Sequence, residues 1–226
     1  MDKKELIEKY GIDLEKLEKE QLELAKNLEI KDKIDFSLAD SFGAVDISFI
    51  KNQILVSIIV CKPLLEGEDG KKECEIIDRA YFLDKVHFPY LAGFRAYREL
   101  PAMVKAFDKL NEKPDVIFVP AQGITHPRLG LASHFSLNIG VPVIGVANSI
   151  IDFEIKDDDI VMNNKNVGKL FTSKKESRPM YVSPGNDIGV DTCLKICNDF
   201  VNLPHKLPEP MHLAGKYSRE IRKELV

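Results

Sequence analysis

Two runs of β-branched and other apolar residues, separated by three polar residues (KNQ), indicate a β-hairpin near the start of the chain. The runs are AVDISFI at 44–50 and ILVSIIV at 54–60. β-Branched side chains pack well on a pleated sheet, and two such runs joined by a short polar segment predict antiparallel strands. A third strand is expected over Cys74–Val86, after the polar turn Gly67–Lys72. The segment therefore predicts a three-stranded antiparallel meander.

Helical periodicity and short apolar runs alternate in the rest of the chain. Apolar residues recur at helical spacing over Gly93–Leu110 and Arg128–Ile139, whereas VIFV at 116–119 and the run Val141–Ala147 have the length and composition of buried strands. The C-terminal part predicts further strands and two helices. A meander followed by alternating helices and strands predicts a single α/β domain with one mixed sheet flanked by helices.

The first thirty residues differ in texture from the strands that follow. Leucines such as Leu14 and Leu17 recur among many Glu and Lys residues, and the pattern is interrupted near Gly11. Such spacing is typical of one or two amphipathic surface helices. We therefore expect an N-terminal helical extension over residues 1–30 and one domain over residues 31–226.

The composition excludes several classes of protein. Of 226 residues, 44% are apolar and 30% charged, which is ordinary for a globular protein and excludes collagen, a mostly disordered chain and a membrane bundle. The apolar runs are shorter than the ~18–20 residues that cross a bilayer, and the charged N-terminus has no apolar signal core, so a cytoplasmic protein without membrane contact is expected. The net charge of −4 argues mildly against avid nonspecific nucleic-acid binding but permits a local basic groove.

The cysteines and the acidic segment Asp157–Asp159 do not point to a metal site. Of the four cysteines, Cys193 and Cys197 are close in sequence, and no nearby histidine completes a zinc set. Reduced, packed thiols are expected, and Asp157–Asp159 is expected to be solvated surface.

Two carboxylates stand out as candidate functional groups. Asp46 interrupts the apolar first strand, and a buried lone carboxylate is costly unless it is paired or bound to a metal; a side chain that faces solvent is the alternative. Glu99 lies one helical turn after Arg95, which a surface ion pair alone explains.

A loop after a buried strand is the more informative candidate site. Residues 120–128, PAQGITHPR, directly follow VIFV, and loops beyond the carboxyl ends of strands commonly form ligand sites. Gly123 permits close approach of a ligand to the backbone, and His126 and Arg128 offer contacts to phosphate or base. The segment Ser183–Asp187 after another apolar run is either a comparable site or a structural turn.

Five segments carry a resemblance to a known family. VDISF at 45–49, FPYLAGFRAYRELP at 88–101, FVPAQGITHPRLGLASH at 118–134, PVIGVANSI at 142–150 and YVSPGNDIG at 181–189 resemble endonuclease V in the same order and spacing. The resemblance spans Gly43 to Met211. It implies an RNase H-like fold and an endonuclease that uses Mg²⁺ or Mn²⁺ to cut DNA or RNA one phosphodiester beyond deoxyinosine or inosine, in DNA repair or RNA processing.

The resemblance also implies roles for particular residues. Asp46 and Glu99 match metal-binding carboxylates, Tyr90 matches a wedge that opens the duplex, and a pocket lined largely by backbone groups receives the hypoxanthine base. The positions that match the base-binding segments are Gly93, Gly123, Ile124, His126 and Arg128.

Three polar positions of the family pattern are substituted. Pro120 stands where the family has an aspartate, Asn148 where it has a lysine, and Asn186 where it has a histidine. Proline has no side-chain ligand, and the asparagine amide is neither a base nor a cation at neutral pH. Each lost electrostatic or acid–base contribution is commonly worth about 10²-fold or more, so little or no cleavage is expected, with at most a weak Mg²⁺ or Mn²⁺ site at Asp46 and Glu99.

Three functions remain open from the sequence. The first is a nucleic-acid-binding homologue with impaired cleavage. The second is an active nuclease with an altered metal site that includes Asp46, Glu99 and, after a one-residue shift, Asp187. The third is a scaffold that has come to serve a protein partner or a small ligand.

Overall fold

The structure, a computed structural model, describes residues 3–64, 73–150, 152–174 and 177–225. Within these ranges the chain forms nine strands and six helices. The strands are β1 (Phe42–Ile50), β2 (Gln53–Pro63), β3 (Cys74–Lys85), β4 (Val116–Val119), β5 (Val143–Ala147), β6 (Glu154–Lys156), β7 (Asp159–Met162), β8 (Lys165–Phe171) and β9 (Met180–Asn186). The helices are α1 (Lys3–Tyr10), α2 (Leu14–Ala25), α3 (Arg95–Asp108), α4 (Leu131–Ile139), α5 (Val190–Asp199) and α6 (Glu209–Leu225).

All nine strands belong to one mixed sheet, in the order β3-β2-β1-β4-β5-β9-β8-β7-β6. The first three strands pair antiparallel, which confirms the predicted meander, whereas β1 pairs with β4, and β4 with β5, in parallel. The remaining pairs are antiparallel. The expectation of a mixed sheet is therefore confirmed, while the predicted turn Gly67–Lys72 lies outside the described residues.

Helices cover both faces of the sheet, because side chains alternate between the faces along each strand. Helices α3 and α4 pack on one face, where Met103 and Phe135 join a core with Val45 and Ile117. Helices α5 and α6 cover the other face, around a core that includes Phe118. Consecutive residues of β1 therefore belong to opposite cores.

The N-terminal helices form as predicted, with a break at Gly11. Gly11 has a φ of +65°, a conformation that glycine adopts without a steric penalty. Asp13 caps α2, since its side chain accepts from the backbone N–H groups of Glu15 and Lys16 at 3.1 and 3.3 Å. Helix α2 contacts α3 through a hydrogen bond, since the Tyr97 hydroxyl donates to the Leu17 carbonyl at 3.0 Å.

One segment expected as a turn or site is a strand. Residues Ser183–Asn186 complete β9, which pairs with β5 on one side and, nearer its start, with β8 on the other. Pairing inside the sheet outweighs the turn preference of the Pro-Gly dipeptide, and the chain bends only at Asp187, whose φ is +60°.

Two further expectations concern cysteines and membrane contact. The four cysteines are free, and Cys61, Cys193 and Cys197 are buried, which confirms packed thiols. No helix among the described residues is long and apolar enough to cross a bilayer.

Candidate functional site

A cavity of about 300 Å³ opens beyond the carboxyl ends of β4 and β5. Ligands of open α/β sheets bind at this end of the strands, and the volume lies at the lower limit of ordinary ligand pockets. The sequence-predicted residues that line it are Tyr90, Gly93, Pro120, His126 and Asn148. The structure thus brings together residues from three of the five segments that carried the resemblance.

Tyr90 lies at the edge of this cavity and is mostly exposed. Its accessible surface is 72% of the maximum, which is a large exposed fraction for an aromatic residue. An exposed aromatic ring beside a cavity is available to stack on a ligand or to enter a duplex.

Glu99 is held by Arg95 inside the protein, next to the cavity. The Arg95 Nε atom lies 2.7 and 2.8 Å from the two carboxylate oxygens of Glu99, and its Nη1 atom donates to the Pro120 carbonyl at 3.1 Å. Glu99 is 2% exposed, so the expectation of a surface ion pair is wrong. The expectation was wrong because the helical spacing of Arg95 and Glu99 does not show that this face of α3 packs on the sheet.

Burial and the neighbouring guanidinium groups act on the pKa of Glu99 in opposite directions. Burial raises the pKa of the Glu99 carboxyl above its usual value, while the guanidinium groups of Arg95 and Arg98 act to lower it. Two positive charges therefore lie near one carboxyl group.

Asp46 lies on the opposite face of the sheet from α3. It shares its face of β1 with Ala44, in the core below α6, and its Oδ1 atom is 3.8 Å from the point that a Cβ atom on Gly215 would occupy. Ala44 pairs in register with Phe118, so Asp46 and Pro120 each lie two residues beyond paired positions of neighbouring parallel strands. Asp46 is thus level with Pro120, with its carboxylate toward α6.

The described side chains around the cavity are not arranged as a divalent-cation site. Mg²⁺ requires near-octahedral oxygen ligands, including one or two carboxylates. Both Glu99 oxygens accept from Arg95, and the Pro120 carbonyl does so as well. Among the described residues no group of three or more His, Cys, Asp or Glu side chains is arranged to hold a metal. No Asp or Glu is among the described residues that line the cavity.

His126 is neutral at physiological pH. Burial and the nearby Arg128 guanidinium lower its pKa to about 4, against an opposing hydrogen bond with the Gly93 backbone. Its Nδ1 atom accepts from the backbone N–H of Arg128 at 3.1 Å. A neutral imidazole in the cavity wall can contact an uncharged base and adds no charge to the cavity.

Arg128 supports the wall and is not among the residues that line the cavity. Its Nη2 atom donates to the Gly93 carbonyl at 3.3 Å, and its guanidinium carbon lies 4.8 Å from the centre of the Phe94 ring. A salt bridge of 3.4 Å joins it to Glu18 of α2. Arg128 thus fixes the loop that carries Gly93.

Gln21 is a functional candidate that the sequence analysis missed. Its Nε2 atom donates to the carbonyls of Gly93 and Leu129, at 3.1 and 3.3 Å, and its side chain is almost wholly buried. A signal was present, since Gln21 is a polar residue on the apolar stripe between Leu17 and Leu24 of α2.

Gly123 and Ile124 lie behind the cavity wall, against β9. The Gly123 N–H donates to the Ser183 hydroxyl at 3.0 Å, and the Ile124 N–H donates to the Pro184 carbonyl at 2.9 Å. A Cβ atom on Gly123 would lie 1.9 Å from that carbonyl oxygen. The glycine here permits a close approach of two backbone segments.

Asn186 and Asp187 lie at the other end of β9. Asn186 pairs with Val143, the first residue of β5, whereas the cavity is beyond the last residue of that strand. The Asn186 Oδ1 atom accepts from the Glu29 N–H at 2.7 Å, and Asp187 forms a 2.8 Å salt bridge with Lys33. The structure does not bring either residue to the cavity, because β9 runs antiparallel to β5.

A protein-family model described as Endonuclease V matches residues 22–216 of this chain. The chain belongs to the endonuclease V family. Among curated relatives, endonuclease V of Thermosipho melanesiensis is 35% identical over 191 residues, covering 80% of each chain. Endonuclease V of Bacillus thuringiensis is 30% identical over an alignment of 237 positions, covering all of this chain and 96% of the relative.

Solved structures of endonuclease V share the fold of this family member. The Bacillus subtilis structure has a TM-score of 0.82 at 23% identity and covers 95% of this chain and 94% of its own. The Ciona intestinalis structure, solved in complex with a 24mer DNA containing an inosine followed by a ribo-adenosine, has a TM-score of 0.79 at 22% identity and covers 94% and 99%. The RNase H-like mixed sheet expected from the resemblance is confirmed.

Proposed function

We propose that this endonuclease V family member binds inosine-containing DNA or RNA in the cavity and cleaves it poorly or not at all. One observation carries the proposal. The cavity keeps Tyr90, Gly93 and His126 at its wall, while Glu99, the expected metal carboxylate, is bound on both oxygens by Arg95.

The binding half of the proposal is supported by the composition of the wall. Apolar side chains such as Leu91, Ala121 and Leu131 line it together with the neutral His126, and Arg95 is the one charged side chain among the described lining residues. An uncharged purine base can therefore lie against most of the wall. Tyr90 at the edge offers a ring for stacking, a contact worth about 1–3 kcal/mol per base. The Ciona relative, which has the same fold, was solved with inosine-containing DNA.

The impaired-cleavage half is supported by the groups that would have to act. Metal-assisted hydrolysis needs a cation that neutralises the developing charge and activates water. Pro120 contributes a carbonyl that is already bonded to Arg95, and Asn148 brings no positive charge to the cavity. Asn186 bonds to the backbone of Glu29 at the far end of β9.

The binding test uses fluorescence anisotropy with labelled oligonucleotides that differ at one position, deoxyinosine or inosine against guanine, as DNA and as RNA. We expect the inosine strand to bind at least about tenfold more tightly, and Tyr90→Ala to reduce that affinity about tenfold. The matched control is Tyr10→Ala, which removes another exposed tyrosine, on α1 and absent from the cavity lining, and leaves binding unchanged. Equal and weak binding to every strand at low salt would contradict the proposal and favour a protein or small-ligand scaffold.

The cleavage test incubates the same strands with excess protein and Mg²⁺ or Mn²⁺, and the product is resolved on a denaturing gel. We expect intact substrate. Repeated turnover that Asp46→Ala abolishes would contradict the impaired-cleavage half, and loss of turnover in Asp187→Ala as well would support the altered metal site with Asp187.

A further inference from the structure

The cavity is lined by one charged side chain, and it is a cation. Arg95 lines it, no acidic residue does so among the described residues, and the histidine of the wall, His126, is neutral. The Arg95 side chain remains 40% exposed although its Nε atom is bound to Glu99. Arg95 therefore lines the cavity with a side chain that is still partly accessible.

The hydrogen-bond geometry leaves donors of Arg95 free for a ligand. A guanidinium has five N–H donors. The N–H on Nε is shared between the two Glu99 oxygens, and one on Nη1 goes to the Pro120 carbonyl. Among the described residues no hydrogen-bond partner of Nη2 is found, so its two N–H donors are available to a ligand at the cavity that Arg95 lines.

Two hydrogen-bonded contacts orient the Arg95 guanidinium, and the charged groups near it leave a net positive charge. Glu99 and the Pro120 carbonyl fix the guanidinium from two sides. Arg98 is a second cation close to Glu99; its Nη1 atom donates to the Phe88 carbonyl at 3.3 Å, and its guanidinium carbon lies 4.6 Å from the centre of the Phe49 ring. One carboxylate does not cancel two guanidinium groups.

We propose that the Arg95 guanidinium is the resident cation of this site and binds a phosphodiester oxygen of the nucleic acid without a divalent metal. The inference rests on the proposed function and names the contact that anchors the ligand. Arginine suits this role because its planar donors match phosphate oxygens and its charge persists at every physiological pH. A fixed guanidinium can hold a phosphate but generates no metal-bound hydroxide, which agrees with binding that is separate from cleavage.

The first test removes divalent metal. The affinity for the duplex inosine oligonucleotide is measured by anisotropy in EDTA and in Mg²⁺ at equal ionic strength. We expect dissociation constants within about twofold of each other. A loss of affinity of tenfold or more in EDTA would overturn the inference, because a required metal would then be the cation at the site.

The second test removes the guanidinium. Arg95→Gln is expected to weaken binding about tenfold or more, because at least one charge-assisted hydrogen bond is lost. It should also reduce the slope of log affinity against log salt concentration by about 0.9, because one phosphate contact is lost. Arg95→Lys keeps the charge and should retain the salt slope while losing part of the affinity. The matched control is Arg222→Gln, an exposed arginine in the last turn of α6, for which neither quantity changes.

A further variant separates loss of the cation from loss of folding. Arg95→Gln leaves the Glu99 carboxylate buried and unpaired, whereas Arg95→Gln with Glu99→Gln removes both charges. The double variant should melt closer to the parent protein and still bind weakly. If folded Arg95→Gln variants bound with the affinity and salt slope of the parent protein, this inference alone would be overturned. If the parent protein itself did not bind, the proposed function and the inference would be overturned together.

Discussion

The Gln21 Oε1 atom accepts a hydrogen bond from the Arg128 Nε atom at 2.7 Å. Gln21 lies on helix α2, whereas Arg128 belongs to the loop after β4. The same amide donates to the carbonyls of Gly93 and Leu129. One buried side chain of α2 thus joins the two loops that form a wall of the cavity. The N-terminal helical region predicted as an extension therefore helps to build the site.

Replacing Gln21 by alanine is expected to destabilise the protein by about 1–3 kcal/mol, because the buried carbonyls of Gly93 and Leu129 would lose a donor. Urea unfolding measures the free-energy change, and the affinity for the inosine oligonucleotide should fall with it. The control is Leu22→Ala, at a half-exposed neighbour on the same helix. An equal effect of both substitutions on binding would contradict the role of the Gln21 amide.

Alanine substitutions at Gly123 and at Gly215 are expected to have opposite effects on stability. A Cβ atom on Gly123 would lie 1.9 Å from the Pro184 carbonyl oxygen, so Gly123→Ala should cost several kcal/mol or prevent folding. A Cβ atom on Gly215 would have contacts no closer than 3.5 Å inside α6, so Gly215→Ala should stabilise the protein by about 0.5–1 kcal/mol. Thermal melting compares the two, and a stable Gly123→Ala protein would show that β9 can move away.

Local patterns in the sequence are sufficient for β1 to β5 and for the helices, but they do not reveal at which end of the sheet two residues meet. The apolar runs of β1, β2, β4 and β5 are dense enough to decide their structure. Asn186 and Asp187 follow an apolar strand just as Pro120 does, yet β9 is antiparallel and carries them to the opposite end. Strand direction depends on tertiary pairing, which local periodicity does not encode.

Burial was the second property that the sequence could not supply for the site. The Arg95–Glu99 spacing suits either an exposed or a buried pair on a helix, and only the packing of α3 on the sheet distinguishes them. Gln21 was visible as a polar residue in an apolar stripe, but its partners Gly93 and Leu129 lie 72 and 108 residues away in sequence.

The pKa of His126 predicts that the protein loses stability in mild acid. The folded pKa is about 4, whereas an unfolded histidine titrates near 6.5, so between these values the unfolded chain binds more protons. The contribution of His126 to the free energy of unfolding should therefore be complete above about pH 6.5 and should decrease as the pH falls toward 4. Buried His134, whose pKa burial also lowers, adds to the same slope.

Urea titrations from pH 7 to pH 4 measure this effect, with His126→Asn as the test variant. In the variant the free energy of unfolding should decrease less steeply with falling pH, because asparagine does not titrate. The difference in slope should correspond to the uptake of up to about one proton on unfolding. His87→Asn is the control, since the His87 side chain is 78% exposed. Identical slopes for the parent and His126→Asn would show that His126 does not carry the loss.

Restoring a carboxylate at position 120 tests whether Arg95 excludes a metal. Pro120→Asp alone should not bind Mn²⁺ measurably, because the new carboxylate would lie beside a guanidinium that already bonds to the Pro120 carbonyl and to Glu99. Pro120→Asp with Arg95→Gln removes that competing cation and leaves two carboxylates with free oxygens, which is the minimum that Mg²⁺-type sites use. Isothermal titration calorimetry with Mn²⁺ should therefore detect binding in the double variant and not in either single variant. If Pro120→Asp bound Mn²⁺ with the same affinity as the double variant, the Arg95 guanidinium would have to move aside readily. Pro120, and not Arg95, would then be the residue that prevents metal binding.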